Sequence, residues 1–244
     1  MISRFLLKMK AKQAIFTTKP SPILAGLMLT GVYFLIYIFQ YTGSADAYNE
    51  LLQNGSYTVT QLMEAMYKDI VGNKTALILQ LVFSLLNSYI SFGMMCYSLK
   101  LASSFDSQPI GSNEIPSERE RISVQEMFPP LLTFIKSFAI TLLTSLLTAI
   151  GIVFFIVPGI ILAVCYSQAR FIMLEHPEMS IIKCMTASRK LMRNRIGEYF
   201  LLSLSFIGWQ LMTSISVITG IWTYPYINIT MAFYYKDISA VEAA

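Results

Sequence analysis

Long apolar segments alternate with short polar ones along the chain, and their lengths predict membrane spans. A helix needs about 20 apolar residues to cross the roughly 30 Å hydrocarbon core of a bilayer. Six segments meet or approach this requirement, namely residues 22–41, 75–99, 137–157, 159–174, 198–216 and 220–235. We therefore predict an all-α, polytopic integral membrane protein with six transmembrane helices, in which residues 1–244 form a single domain.

Two prolines are predicted to interrupt this apolar pattern. The run between residues 137 and 174 is too long for one crossing, and Pro158-Gly159 divides it, because this pair breaks a helix and permits a tight turn. The division separates spans three and four. Pro225 is predicted to bend or break the sixth span in the same way.

Composition and charge support lipid as the surrounding solvent and give an orientation. Apolar residues make up 55% of the chain and charged residues 13%, against about 25% charged residues in an average soluble domain. All of the 18 Lys and Arg residues except Lys68 and Lys74 fall on one side when the N-terminus is cytoplasmic. Cytoplasmic loops of membrane proteins carry an excess of basic residues, so we predict that both termini are cytoplasmic.

Three connecting segments have the pattern of amphipathic helices that lie at the membrane surface. Residues 1–16 and 178–196 each oppose an apolar face to basic residues, and a third helix is predicted from Ser123, which forms a capping box with Glu126. The apolar faces contain Ile2, Phe5, Leu6, Met9 and Phe16 in the first segment and Ile181, Ile182, Met185, Met192 and Ile196 in the second.

Basic amphipathic helices are attracted to anionic lipid. The candidate contacts to lipid headgroups are therefore Arg189, Lys190, Arg193 and Arg195. Simple anchoring of the cytoplasmic loops is the alternative role of these helices.

Catalytic signatures are scarce in the sequence. His176 is the single histidine, which excludes a site with several histidine ligands, and the three cysteines have no metal-ligand spacing. The chain also contains no glycine-rich phosphate loop and no His-Glu-x-x-His motif. We predict a protein that is not an enzyme, with no cofactor, no metal site and no nucleic-acid partner.

Polar residues inside the predicted spans are the other candidates for a site. Ionisable residues are costly in a membrane, and Arg170 lies within span four, with Glu175 and Glu198 as candidate partners. A polar cavity between spans four, five and six would contain Gln168, Arg170, Gln210 and Asn228. The alternatives are that Arg170 extends to the cytoplasmic headgroups and that the amides form hydrogen bonds between helices.

An ordered set of short motifs in the C-terminal half resembles a known family. The set is Pro158-Gly159-Ile160, Tyr166, Glu175-His176-Pro177, Ser188-Arg189-Lys190-Leu191-Met192, Leu204-Ser205-Phe206-Ile207-Gly208-Trp209, Pro225-Tyr226 and Ala232-Phe233-Tyr234-Tyr235. It resembles the bacterial integral-membrane family called domain of unknown function nine-seven-five, over about residues 125–236. That family usually has an aspartate in place of His176.

The resemblance implies a six-span membrane domain of a bacterium with no transferable activity. The family is distantly similar to the membrane domains beside glycerophosphodiester phosphodiesterases, which implies a helper role near lipid or envelope metabolism. Three hypotheses follow. The first is a non-enzymatic accessory, scaffold or assembly module of the cell envelope in the plasma membrane, in contact with anionic lipids and a membrane-protein partner. The second is a small transporter or exporter component. The third is an intramembrane enzyme that uses Glu175, His176 or Glu178.

Overall fold

The computed structural model describes residues 4–18, 21–35, 58–60, 63, 74–105 and 128–243, and the secondary structure in these ranges is helical throughout. The helices are α1 (Arg4–Thr17), α2 (Ile23–Leu35), α3 (Lys74–Phe105), α4 (Leu131–Phe154), α5 (Ile156–Cys165), α6 (Ala169–Glu175), α7 (Ile181–Met192), α8 (Ile196–Leu204), α9 (Ile207–Ile215) and α10 (Gly220–Ala243). A short 3-10 helix, Val217–Thr219, precedes α10. The predicted all-α fold is confirmed for this part of the chain.

Three helical segments in the described residues are long and apolar enough to cross a membrane. They are Ile78–Phe105 within α3, Leu131–Phe154, and Ile156–Glu175, which combines α5 and α6. They correspond to predicted spans two, three and four. Spans one, five and six stay predictions, since α2 is a shorter apolar helix and α8, α9 and α10 are not among these segments.

Several helix ends differ from the predicted boundaries. Helix α3 continues to Phe105, beyond the predicted end at residue 99, and α4 begins at Leu131, directly after Pro130. Helix α10 runs without interruption from Gly220 to Ala243, so Pro225 does not break it, whereas a bend at Pro225 and the end of the sixth span at residue 235 stay predictions. Three predicted features lie outside the described residues. They are the end of span one at residues 36–41, the start of the third amphipathic helix at residues 123–127, and Ile2 of the first amphipathic helix.

The turn between α4 and α5 lies earlier than predicted. The chain changes direction at Phe155, which has extended backbone angles, and Pro158 and Gly159 lie inside the first turn of α5. Proline is tolerated there because the first amides of a helix have no intrahelical partner. A Cβ atom on Gly159 would lie 2.6 Å from the backbone nitrogen of Ile152, so glycine allows α4 and α5 to pack backbone against backbone.

The α4–α5 hairpin has a fixed base and an apolar tip. The Lys136 ammonium donates a 2.7 Å hydrogen bond to the carbonyl of Pro177, which brings the start of α4 next to the end of α6. The tip consists of five consecutive apolar residues, Val153 to Val157, and each has at least 66% of its surface exposed. Helix α4 from Lys136 to this tip is about 27 Å long at 1.5 Å per residue, close to the thickness of the hydrocarbon core.

Helix α10 is the centre of the described bundle. It packs against α1, α3, α7 and α9, and its residues Ile229, Ala232, Phe233, Tyr234 and Ile238 are buried. Helix α2 also contacts α10, where the Tyr33 and Tyr224 rings stack with their centroids 5.7 Å apart. The polar and aromatic composition of α10 thus reflects contacts with protein on several sides.

Helices α1 and α7 bury one face each in the bundle. The buried residues of α1 are Leu7, Ala11, Ala14 and Ile15, while Phe5, Met9 and Phe16 of its predicted apolar face are exposed. The buried residues of α7 are Cys184, Met185, Ser188, Leu191 and Met192, so Met185 and Met192 contact protein. Placement of both helices at the membrane surface stays a prediction.

Candidate functional site

A groove lined with hydroxyl groups lies between α4 and the segment formed by α5 and α6. Helix α4 contributes Thr141, Thr144, Ser145 and Thr148, which are spaced i, i+3, i+4 and i+7 and therefore share one face of the helix. The opposite wall contains Ala163 of α5, Arg170 of α6, and Tyr166 and Ser167 from the turn between these helices. The cavity has a volume of about 360 Å³.

Four of the groove hydroxyls, those of Thr141, Thr144, Ser145 and Ser167, donate their protons to the backbone. The Thr141 hydroxyl donates to the Ser137 carbonyl at 2.9 Å, and those of Thr144 and Ser145 donate to the carbonyls three residues earlier in α4. The Ser167 hydroxyl donates to the Val164 carbonyl at 2.8 Å. Because a hydroxyl has one proton and two lone pairs, the three oxygens on α4 remain able to accept hydrogen bonds, whereas that of Ser167 already accepts one from Gln168.

Arg170 supplies the positive charge of the groove. It lies at the second position of α6, after the turn at residues 166–168 that interrupts the apolar segment. Its side chain is exposed toward the groove, and in the described part of the chain no carboxylate forms an ion pair with it. Tyr199 of α8 is a titratable neighbour of Arg170.

The predicted partner Glu175 is occupied elsewhere. The Tyr235 hydroxyl donates a 2.6 Å hydrogen bond to one carboxylate oxygen of Glu175, and the Lys236 ammonium forms an ion pair with the other. The Tyr235 ring also stacks on Phe171 with the centroids 5.2 Å apart. This cluster attaches the end of α6 to α10 and leaves Arg170 without the carboxylate that the sequence suggested.

The other residues of the predicted cavity do not line the groove. Gln168 is 1% exposed and donates to the Ser167 hydroxyl oxygen at 2.9 Å, and its own side-chain oxygen is buried without a partner in the described residues. Gln210 is exposed on α9. The Asn228 amide donates to the Tyr224 carbonyl of its own helix at 2.9 Å. Of the four predicted residues, the structure brings only Arg170 to this groove.

The predicted headgroup contacts divide into two kinds. Arg189, Lys190 and Arg193 are exposed on or just after α7. Arg195 instead donates to the carbonyls of Leu191 and Ile238 at 3.3 and 3.2 Å, and so holds the end of α7 near the end of α10. We call the exposed members of this predicted set, Arg189, Lys190 and Arg193, the exposed basic surface.

The sequence prediction missed the four hydroxyl residues of α4. Their helical spacing is visible in the sequence, but serine and threonine are common packing residues in apolar helices. Only the folded hairpin shows that they share a groove with Arg170, because it brings α4 against α6.

Comparison with known proteins gives one family and no characterised relative. Residues 144–242 match the family model described as Protein of unknown function (DUF975). This match confirms the resemblance inferred from the C-terminal motifs. The chain has no significant match among curated proteins or among solved structures. The further similarity to glycerophosphodiester phosphodiesterase membrane domains stays a prediction.

Several motifs within the DUF975 segment make contacts that hold the helices together. Gly159 provides the close approach of α4 and α5, and Glu175 binds Tyr235. The buried Ser188 hydroxyl donates a 2.7 Å hydrogen bond to the Cys165 carbonyl, which connects α7 with the end of α5. His176 ends α6 on the surface, with its Nδ1 atom 3.5 Å from the Glu178 carboxylate.

Proposed function

We propose that this protein is a non-enzymatic membrane module with an accessory, scaffold or assembly role in the bacterial cell envelope. In this proposal it crosses the plasma membrane six times, with both termini in the cytoplasm. The observation that carries the proposal is that Gly159, Glu175 and Ser188, three motif residues of the DUF975 segment, are engaged in contacts between helices.

Polar side chains whose hydrogen-bonding atoms already have partners within the protein are poorly placed to bind or activate a substrate. Both carboxylate oxygens of Glu175 have partners, and the Ser188 hydroxyl is fully buried on the Cys165 carbonyl. An acid or base catalyst must instead be within hydrogen-bond reach of its substrate. Of the three residues considered for an enzyme, His176 and Glu178 lie on an exposed turn and not in a described cavity.

The exposed basic surface gives the module a means of association. Arg189, Lys190 and Arg193 extend from a helix whose opposite face is buried in the bundle, so their position relative to the helices is fixed. Lysine and arginine near a membrane surface attract anionic lipids, at about 1 kcal/mol per residue. The same surface suits an acidic segment of a membrane-protein partner.

The groove gives less support to a transporter than to an association module. Its lining residues all come from α4, α5, α6 and the turn before α6, and it opens on the side where Thr141, Ser145 and Arg170 are exposed. A transport pathway requires a polar route that can open alternately to either side of the membrane. A groove that opens to one side of the α4–α5 hairpin is better suited to binding a ligand than to transporting a solute.

Cross-linking in native membranes tests the association role. The tagged protein is cross-linked, extracted gently and analysed by mass spectrometry, beside the variants Lys190→Glu and Lys12→Glu. Both lysines are exposed on described helices, but Lys12 lies on α1 and serves as the matched control. We expect a stoichiometric membrane-protein partner whose recovery falls several-fold in Lys190→Glu only. Absence of such a partner from the wild-type sample, or equal loss in both variants, would contradict the proposal.

A further inference from the structure

The groove beside α4 contains an unpaired cation in an apolar segment. Arg170 lies about 8 Å along the helix from Glu175, inside the segment Ile156–Glu175 that is apolar enough to span a membrane. An arginine at such depth is costly unless an anion or water compensates it. In the described residues the carboxylate of Glu175 is already bound and no other carboxylate forms an ion pair with Arg170, so the guanidinium is available to an anion from outside the protein.

The form of this cation favours a phosphate group. Guanidinium presents five donors in a planar fork and binds phosphate through two parallel hydrogen bonds. The other groups on the lining are hydroxyls and apolar side chains, so no negative charge of the groove opposes an anion.

The hydroxyl residues of α4 indicate which groups a ligand would contain in addition to a phosphate. Because the hydroxyls of Thr141, Thr144 and Ser145 donate their hydrogen bonds to backbone carbonyls, their oxygens are acceptors on the groove side. A ligand that forms hydrogen bonds with these acceptors needs donor groups. Hydroxyl groups are donors without a charge, so the part of the ligand beyond the phosphate can contain them. A ligand with a phosphate at one end and hydroxyl groups beyond it satisfies both walls.

The size and the opening of the groove agree with a small polar group. A volume of about 360 Å³ falls at the lower end of the range for ligand pockets in proteins. Its exposed side allows a larger molecule to insert its polar end while the remainder stays outside.

We propose that the groove between α4 and α5–α6 binds a polyol phosphate, with Arg170 on the phosphate and the α4 hydroxyls on the polyol. This chemistry occurs in the headgroup of phosphatidylglycerol and in soluble polyol phosphates such as glycerol phosphate. The proposal does not depend on a protein partner, so it goes beyond the association role.

Native mass spectrometry of the full-length protein in detergent measures this binding. The protein is titrated with phosphatidylglycerol, and separately with phosphatidylcholine, which has a phosphate but no free hydroxyl groups. We expect one tightly bound phosphatidylglycerol and at least about tenfold weaker binding of phosphatidylcholine, because the latter lacks donors and adds a positive charge. Equal binding of the two lipids would overturn the proposal.

Three variants locate the site. Arg170→Gln should weaken phosphatidylglycerol binding about tenfold, because it removes the charge-assisted hydrogen bonds. Thr144→Val removes one acceptor at similar shape and should weaken binding about threefold. Lys12→Gln, an exposed cation on α1 outside the groove, is the control and should bind like the wild type. If Arg170→Gln fails to fold, Thr144→Val decides; unchanged binding in Thr144→Val, or equal loss in Lys12→Gln, would overturn the site.

Competition distinguishes the two sources of the ligand. Glycerol phosphate is added to the wild-type complex with phosphatidylglycerol. Displacement at millimolar concentration would support a site that recognises the polar group alone, and thus a soluble ligand. Retention of the lipid together with the variant effects would support the lipid headgroup as the ligand. Either result can occur with or without a cross-linked protein partner, so failure here is separate from failure of the association role.

Discussion

Gly26 of α2 lies directly against the carbonyl group of Ile221, the one carbonyl of α10 that Pro225 deprives of its helical donor. A Cβ atom on Gly26 would overlap the carbonyl oxygen of Ile221 and lie 2.9 Å from its carbonyl carbon. Proline has no amide hydrogen, so the Ile221 oxygen lacks its usual partner four residues later. The close approach of Gly26 covers this oxygen with a Cα–H group, a weak donor that recurs where helices touch. The contact explains how α10 continues through Pro225.

Replacement of Gly26 by alanine is expected to separate α2 from α10. The new methyl group has no room beside the Ile221 backbone, and overpacking of this kind costs about 1–3 kcal/mol. Thermal unfolding in detergent measures the loss. Gly31→Ala is the matched control in the same helix, because a Cβ atom there meets no atom within 4 Å. Gly31→Ala should be neutral or stabilising by about 0.5–1 kcal/mol; equal melting temperatures for the two variants would refute the contact.

Gly159→Ala is expected to open the α4–α5 hairpin. A methyl group at this position would lie 2.6 Å from the Ile152 nitrogen and 2.9 Å from its Cα atom, both of which belong to the rigid backbone of α4. We expect destabilisation by about 1–3 kcal/mol and faster proteolysis near the turn at Phe155. Gly208→Ala in α9 has open space around its Cβ position and serves as the comparison. A Gly159→Ala variant as stable as Gly208→Ala would mean that the helices are further apart than described.

Tyr234 and Tyr235 are adjacent tyrosines with opposite expected responses to removal of the hydroxyl. Tyr235→Phe deletes a hydrogen bond to the charged Glu175 carboxylate, which should cost about 1.5–3 kcal/mol. The Tyr234 hydroxyl is buried and has no hydrogen-bond partner within the described residues, so Tyr234→Phe should be neutral or stabilising. Chemical or thermal unfolding of both variants checks the difference. Equal losses would show that the Tyr235–Glu175 contact contributes nothing specific.

Cys184 is expected to react slowly with thiol reagents in the folded protein. It is fully buried on α7, and burial raises the pKa of its thiol, so less of the reactive thiolate forms at pH 8. Maleimide labelling is measured in a variant with Cys96→Ala and Cys165→Ala. The control places a thiol on the exposed face of the same helix by Thr186→Cys after removal of all three native cysteines. Labelling of Cys184 should accelerate in denaturing detergent, whereas equally rapid labelling of both thiols in the native state would contradict its burial.

The same pKa shift has a consequence for stability. Because the folded protein holds the Cys184 thiol neutral above the ordinary thiol pKa of about 8.5, the unfolded chain ionises first as the pH rises. The contribution of this residue to stability is therefore complete below that pH and decreases above it. Melting temperatures of the wild type and Cys184→Ala should converge as the pH increases from 8 to 10.

Apolar run lengths were sufficient to predict the helical class and the three helical segments that are long and apolar enough to cross a membrane, because a crossing imposes a minimum length on a helix. The Pro158-Gly159 pair predicted the turn between α4 and α5 to within a few residues of its observed position at Phe155. The continuity of α10 through Pro225 could not be predicted, since the neighbour that lies against the freed Ile221 carbonyl, Gly26, is distant in the sequence. The polar site was only partly predictable. Arg170 lines the groove, but Gln210 is exposed on α9 and Asn228 donates a hydrogen bond to the backbone of its own helix.

The central position of α10 also constrains the order of events during synthesis. Every helix that it contacts precedes it in the chain, so α1, α2 and α3 leave the ribosome before the surface that buries Leu7, Ala11 and Gly26 has been made. Until residues 220–243 follow, the nascent bundle exposes these faces and Lys10 of α1 lacks the aromatic ring of Phe233. Assembly of the first helices is thus delayed until translation of the last described one, a period in which an insertase or chaperone has access to them.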